Sequence, residues 1–105
     1  MNPKLIKKIT DFRNERDWEK FHTPENLAKS IAIEAGELLE CYQWDDVAMQ
    51  GEVKEELADV IIYSVLMSLK LNVDIEDIIL KKLAHNAKKY PVSKAKGNNK
   101  KYDKL

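Results

Sequence analysis

The chain has one cysteine, two histidines, three glycines, three prolines and no net formal charge in 105 residues. Each scarcity excludes something. A lone Cys41 cannot form an internal disulfide, which points to a reducing compartment. So few glycines and prolines, beside 44% hydrophobic and 34% charged residues, predict an all-helical soluble fold. No long apolar run is present: residues 60–69, interrupted by Ser64 and Ser68, reach about half of the ~20 residues that span a bilayer. The first residues carry no apolar core of a signal peptide, so the expected location is the cytoplasm, with no membrane partner. The length predicts a single domain with limited core of its own.

Zero net charge hides a strong asymmetry. Nine of the 18 basic residues lie in residues 81–105, where Asp103 is the sole acid, while acids dominate residues 34–59. An acidic centre with a basic end suits a metal-bound polyanionic ligand; the plainer alternative is a solvated, partly disordered Lys-rich tail.

Helix signals divide the chain. The pattern predicts helices over residues 3–16, 24–43, 48–71 and 75–89. Thr23-Pro24-Glu25 supplies an N-cap, a first-turn proline and a first-turn acid. Trp44-Asp45-Asp46 is read as a turn, Asn72-Val73-Asp74 as the next break, and Tyr90-Pro91 as the stop of the last helix. Leu5, Ile9 and Phe12 share a face of the first helix, and residues 16–22 form an aromatic connector.

Two acidic motifs sit inside the second and third helices, Glu34-x-x-Glu37 and Glu56-x-x-Asp59. Carboxylates three apart project from the same side of a helix. Leu27, Ile31, Leu38 and Cys41 all fall within about 60° of Glu34 on the wheel, so Glu34 points with the apolar stripe and Glu37 lies at its edge. Glu52, Glu55, Glu56 and Asp59 likewise share one side of the third helix. A buried carboxylate is costly unless paired, and no matching Lys or Arg set lies on those faces. Four oxygen ligands without Cys or His suit a hard divalent ion, Mg²⁺ before Zn²⁺. The second half of the third helix is apolar all round, which predicts that its remaining face meets a second subunit.

These motifs, taken with their surroundings, resemble the MazG-like, all-α nucleoside triphosphate pyrophosphohydrolases. The resemblance rests on Glu-x-x-Glu, an 18-residue gap and Glu-x-x-Asp. It extends through Arg16-Asp17-Trp18-x-x-Phe21-His22-x-Pro24-x-Asn26-Leu27, Gly36-Glu37-Leu38, Gln43-Trp44, Lys82-x-x-x-Asn86-x-x-Lys89-Tyr90-Pro91 and Lys101-Tyr102, which is similar to the dCTP pyrophosphatase-like branch. It implies a four-helix bundle completed by homodimerisation or a dimer of dimers. The domain would cover residues 1–92, with a Lys-rich tail, 93–105, over the phosphate site. It also implies hydrolysis of a (deoxy)nucleoside triphosphate to the monophosphate and pyrophosphate by water attack at the α-phosphorus. By resemblance Glu34, Glu37, Glu56 and Asp59 are the catalytic carboxylates and hold Mg²⁺, with Mn²⁺ as a possible substitute. One of them, with Glu37 a candidate, accepts the proton of the water. Lys82, Lys89 and Lys101 would meet phosphate oxygens, with Asn86, Tyr90 and Tyr102 beside them. Lys89 has a second reading, since a lysine in a last helical turn also satisfies free carbonyls. Trp18 and Trp44 would line the base pocket and His22 would hydrogen-bond the base; without the resemblance each tryptophan reads as a core or interface anchor and a connector histidine before a helix cap as structural. One departure stands out: dCTP-preferring members carry a histidine about nine residues before the first tryptophan, and this chain has Ile9, which offers a base edge no donor.

Two rival readings are weaker. Di-iron carboxylate bundles need Glu-x-x-His on two helices, and with two histidines, one of them three residues after Lys82, this chain cannot assemble the pair. A non-enzymatic helical domain with a basic, nucleic-acid-binding tail would account for the lysines but leaves Glu34 unexplained; nucleic acid is therefore not the expected partner.

Overall fold

Helix starts follow side chains that can accept a first-turn N–H. The Oδ1 of Asn2 accepts from the Lys4 amide at 2.8 Å, Thr23 Oγ1 from Asn26 at 3.1 Å, and Asp74 from Glu76 and Asp77 at 2.9 and 3.3 Å. The structure, a computed structural model, describes residues 1–44 and 50–105. It is all-helical among these residues, with α1 (Pro3–Glu15), α2 (Pro24–Glu40), α3 (Gln50–Lys70), α4 (Ile75–Lys89) and the short α5 (Val92–Ala95). Single 3₁₀ turns cover Glu19–Phe21 and Tyr102–Lys104. The chain divides into two units, Met1–Val73 and Asp74–Leu105.

In the first unit α2 packs along α3, and α1 also meets α3. The centre of this packing is narrow: among the described residues Leu27, Val65 and Leu66 are the buried apolar side chains. Buried Ser68 is satisfied by donating to the Val65 carbonyl at 2.6 Å. Around them Ile33, Leu39, Leu57 and Ile61 are exposed, so the apolar second half of α3 is enclosed on part of its circumference only. No helix of the described residues is long and apolar enough to cross a membrane.

Two helices end by the same device. At the end of α1 the Trp18 amide donates to the Arg13 carbonyl and Asp17 to Asn14, with Asp17 at φ 54°. At the end of α3 Val73 donates to Ser68 and Asn72 to Leu69, with Asn72 at φ 55°. These are Schellman closures in which an Asp and an Asn take the left-handed position that glycine usually fills. The first closure fixes Trp18. It folds back onto Phe12 edge-to-face, with ring centroids 5.8 Å apart, while Arg16 lies 3.6 Å over the Phe12 ring.

The predicted helices hold, with local differences. α2 ends at Glu40 rather than near residue 43, because Cys41, Tyr42 and Gln43 donate three residues back and tighten the last turn. The turn read at Asp45-Asp46 and the expected helix start at residue 48 lie outside the described residues. In the second unit α4 ends at Lys89 as expected. The segment after Pro91 is more ordered than a solvated tail: Tyr102 stacks edge-to-face on Tyr90 at 6.2 Å and receives the Lys89 ammonium at 4.7 Å.

Asp17→Gly should hold or raise stability, because glycine occupies positive φ without penalty, whereas Asp17→Val should lose about 1–2 kcal/mol. Urea denaturation of the two variants checks this; equal midpoints would contradict the closure's energetic role.

Candidate functional site

α2 carries Leu27 into the core and, two turns later, Glu34 along the same stripe. α3 brings Glu56 and Asp59 to meet it. One oxygen from each of Glu34, Glu56 and Asp59 lies within 4.8 Å of the others, and all three side chains are half-buried. That spread is about twice a hard-cation-to-oxygen distance, so the three can share one ion. Glu34 Oε2 and Glu56 Oε2 are buried without a hydrogen-bond partner, and no cationic side chain is ion-paired with any of the three among the described residues. Orphaned anionic oxygens in low dielectric call for a cation, and an all-oxygen donor set fits a hard divalent one.

Glu37 is exposed, one turn beyond Glu34, and close enough to act on both glutamates. Burial, then hydrogen bonding to Glu37 and the charges of Glu37 and Asp59, pushes Glu34 up to about 7. Hydrogen bonding to Glu37, then burial, raises Glu56. Without a cation Glu34 and Glu56 hold their protons more tightly than free carboxylates do, which relieves the repulsion. The Tyr63 hydroxyl is also raised, by burial and then by Glu34 and Asp59.

The acidic cluster opens on a cavity of about 450 Å³. Glu34 and Asp59 line one part; Ile9, Phe12, Trp18, Ile62 and Leu66 give an apolar and aromatic wall. Lys8, Arg13, His22 and Tyr63 supply polar groups. His22 meets Tyr63 edge-to-face at 6.4 Å, and its Nδ1 is buried without a partner. Burial, then the charge of Arg13, holds the imidazole below its ordinary pKa and therefore neutral at pH 7.

The predicted residues are thus placed unequally. Glu34, Glu56 and Asp59 converge, Glu37 stands beside them, and Trp18 and His22 line the adjoining cavity. Trp44 does not line it and is 88% exposed. Lys82, Asn86, Lys89, Tyr90, Lys101 and Tyr102 belong to the second unit, where Lys89, Tyr90 and Tyr102 gather around one ring. Sequence reasoning missed Tyr63, four residues after Asp59, and Arg13, four after Ile9. The i,i+4 rule that relates each to a recognised position could have found both.

Comparisons with known proteins place the chain in a family. A model of the MazG-like family matches residues 29–105. dCTP pyrophosphatase 1 of Rattus norvegicus is 37% identical over 105 residues, covering 90% of this chain and 62% of the relative. The Homo sapiens dCTP pyrophosphatase 1 is 36% identical with the same coverage. The chain therefore spans 62% of the length of these curated relatives. A solved pyrophosphatase from Archaeoglobus fulgidus DSM 4304 is similar at 38% identity and a TM-score of 0.78, covering 84% of this chain and 90% of that one.

Metal-free protein should lose stability as pH rises from 5 to 8. Glu34 holds its proton in the folded state up to about 7 but releases it near 4.5 when unfolded, so across that window the folded form binds the extra proton. The depressed His22 acts with the opposite sign at the acid end of this window. Subtracting the profile of Glu34→Gln isolates the carboxylate: the difference should fall between pH 5 and 7 and flatten above. Denaturant midpoints in chelator give the profile, and a flat difference would contradict the raised pKa.

Proposed function

The chain belongs to the MazG-like family, and on that footing we propose that it hydrolyses (deoxy)nucleoside triphosphates to monophosphate and pyrophosphate. The observation that carries this reading is the continuity of two chemistries. Glu34, whose Oε2 is buried without a partner, lines together with Asp59 a cavity walled by Phe12, Trp18 and apolar side chains. A nucleotide has a flat apolar end and a polyanionic end, and the two parts of the site suit them in turn. Base stacking on an aromatic side chain contributes about 1–3 kcal/mol, enough to hold one end while the other is positioned.

Glu34, Glu37, Glu56 and Asp59 would hold the cation, with Mg²⁺ favoured by the all-oxygen set and Mn²⁺ as a substitute. When bound, such an ion neutralises phosphate charge and lowers the pKa of water. The chain's own residues do the rest. Trp18 stacks the base, His22 hydrogen-bonds it, and the carboxylates orient the attacking water and accept its proton, Glu37 being a candidate. Water oxygen bonds to the α-phosphorus, the bond from that phosphorus to the bridging oxygen breaks, and pyrophosphate departs. Lys82, Lys89 and Lys101, with Asn86, Tyr90 and Tyr102, are proposed to bind the phosphates, and residues 93–105 to cover them. Trp44 would have to join the base from its exposed position.

We further propose a homodimer or dimer of dimers in the cytoplasm. The narrow core of the first unit and exposed Ile33, Leu39, Leu57 and Ile61 support a second copy as the cover.

Turnover in ¹⁸O-labelled water should place the label in the monophosphate and none in pyrophosphate, as attack at the α-phosphorus requires. Glu37→Gln and Asp59→Asn should each lower kcat by at least about 100-fold with helicity unchanged, since each keeps volume and removes a negative charge. Orthophosphate release, label in pyrophosphate, or normal turnover in either variant would refute the reading.

A further inference from the structure

Arg13 lies one turn beyond Ile9 on α1; both line the cavity, and Arg13 also borders a second pocket that it shares with Glu19. Its side chain retains 14% of its accessible surface, against 41% to 76% for the other ion-paired Lys and Arg side chains. Nε donates to Asn14 Oδ1 at 2.9 Å, and Glu19 stands 3.6 Å from Nη2, beyond a good hydrogen bond. A guanidinium has five N–H donors in one plane. Apart from this ion pair with Glu19, the remaining donors make no hydrogen bond to protein among the described residues, and Asn14 holds the group that carries them.

The rest of the wall sharpens the contrast. Ile9, Phe12, Ile62 and Leu66 offer a base edge nothing, the Trp18 indole and Lys8 donate only, and His22 and Tyr63 each offer a single group that can donate or accept. Among the groups that line the cavity, Arg13 alone carries a planar fork of donors. Such a fork makes two parallel bonds to a pair of adjacent acceptors, the geometry by which arginine reads the O6/N7 edge of guanine.

We infer that Arg13 reads the substrate's base, selecting an edge with two adjacent acceptors: N3/O2 of cytosine or O6/N7 of guanine. Adenine places its amino donor between N1 and N7, and thymine and uracil carry an N3–H between their carbonyls. Each of these sets at most one acceptor against the fork, leaving its second donor unmatched. The inference rests on the pyrophosphohydrolase reading above. The competing role for Arg13 is structural: pairing with Glu19 at the C-terminal end of α1, where a cation is favourable.

The test is pyrophosphate release by the full chain with Mg²⁺ on dCTP, dGTP, dATP, dTTP and dUTP, for wild type, Arg13→Lys and Arg13→Gln. Wild type should favour dCTP or dGTP over the other three by about tenfold or more in kcat/KM, the discrimination of one bidentate pair. The arm that leads identifies the base. Arg13→Lys keeps the charge opposite Glu19 but loses the planar fork, so the preference should collapse while stability is retained. A purely structural Arg13 would lower all five substrates together and keep their ratio. A flat wild-type panel, a preference for adenine, thymine or uracil, or a cytosine or guanine preference that survives Arg13→Lys overturns the inference. If Arg13→Gln does not fold, wild type and Arg13→Lys decide. Absence of pyrophosphate from all five substrates overturns the underlying reading and the inference with it, whereas release from all five at equal rates overturns the inference alone.

Discussion

Everything in the first unit depends on where the α2–α3 packing puts negative charge. Leu27 and Val65 set the two helices against each other, and that contact carries Glu34, Glu56 and Asp59 to within one ion's reach. Burying carboxylates without partners opposes folding. The raised Glu34 and Glu56 record that opposition as retained protons. A cation would convert the same arrangement from a cost into a binding site, because it would bind the folded form alone. On the proposed reading, function and instability share one set of side chains, as is common where a site is built before its ligand arrives.

The cavity follows from a different constraint, the ending of α1. A helix that simply frayed after Glu15 would leave Trp18 in solvent. The Schellman closure at Asp17 instead turns the chain back so that Trp18 packs on Phe12. Thr23 then restarts the helix that carries Glu34. A backbone device of a few hydrogen bonds thus sets an aromatic wall beside an acidic cluster, and neither half would suit a nucleotide alone.

Much of this is legible in the order of the amino acids. Helix starts at residues 3, 24 and 75 are encoded by local caps, and Glu34 falls on the apolar face because helical periodicity is regular enough over two turns. Resemblance sets Trp18 and His22 beside the site, and both line the cavity. What the sequence hides is tertiary. Glu37 and Glu34 lie one turn apart, yet one is exposed and the other half-buried, because α3 covers only one of them. The early end of α2 reflects a switch to three-residue hydrogen bonds that no residue type announces. Tyr63 and Arg13 look ordinary until the facing helix defines a cavity. Trp44, expected in that wall, stands outside it in the single chain.

The central claim is that the carboxylate cluster is a cation site rather than a structural network, and the sign of one substitution tests it. Glu56→Gln removes a repelling charge and keeps the shape. In chelator the variant should unfold at higher denaturant than wild type. Saturating Mg²⁺, at about 100 times its dissociation constant, should add roughly 2.7 kcal/mol to wild type and clearly less to the variant. A structural network gives the reverse, since deleting one partner leaves a buried charge unpaired. A Glu56→Gln protein that is less stable than wild type without metal, with Mg²⁺ shifting neither, would contradict the account.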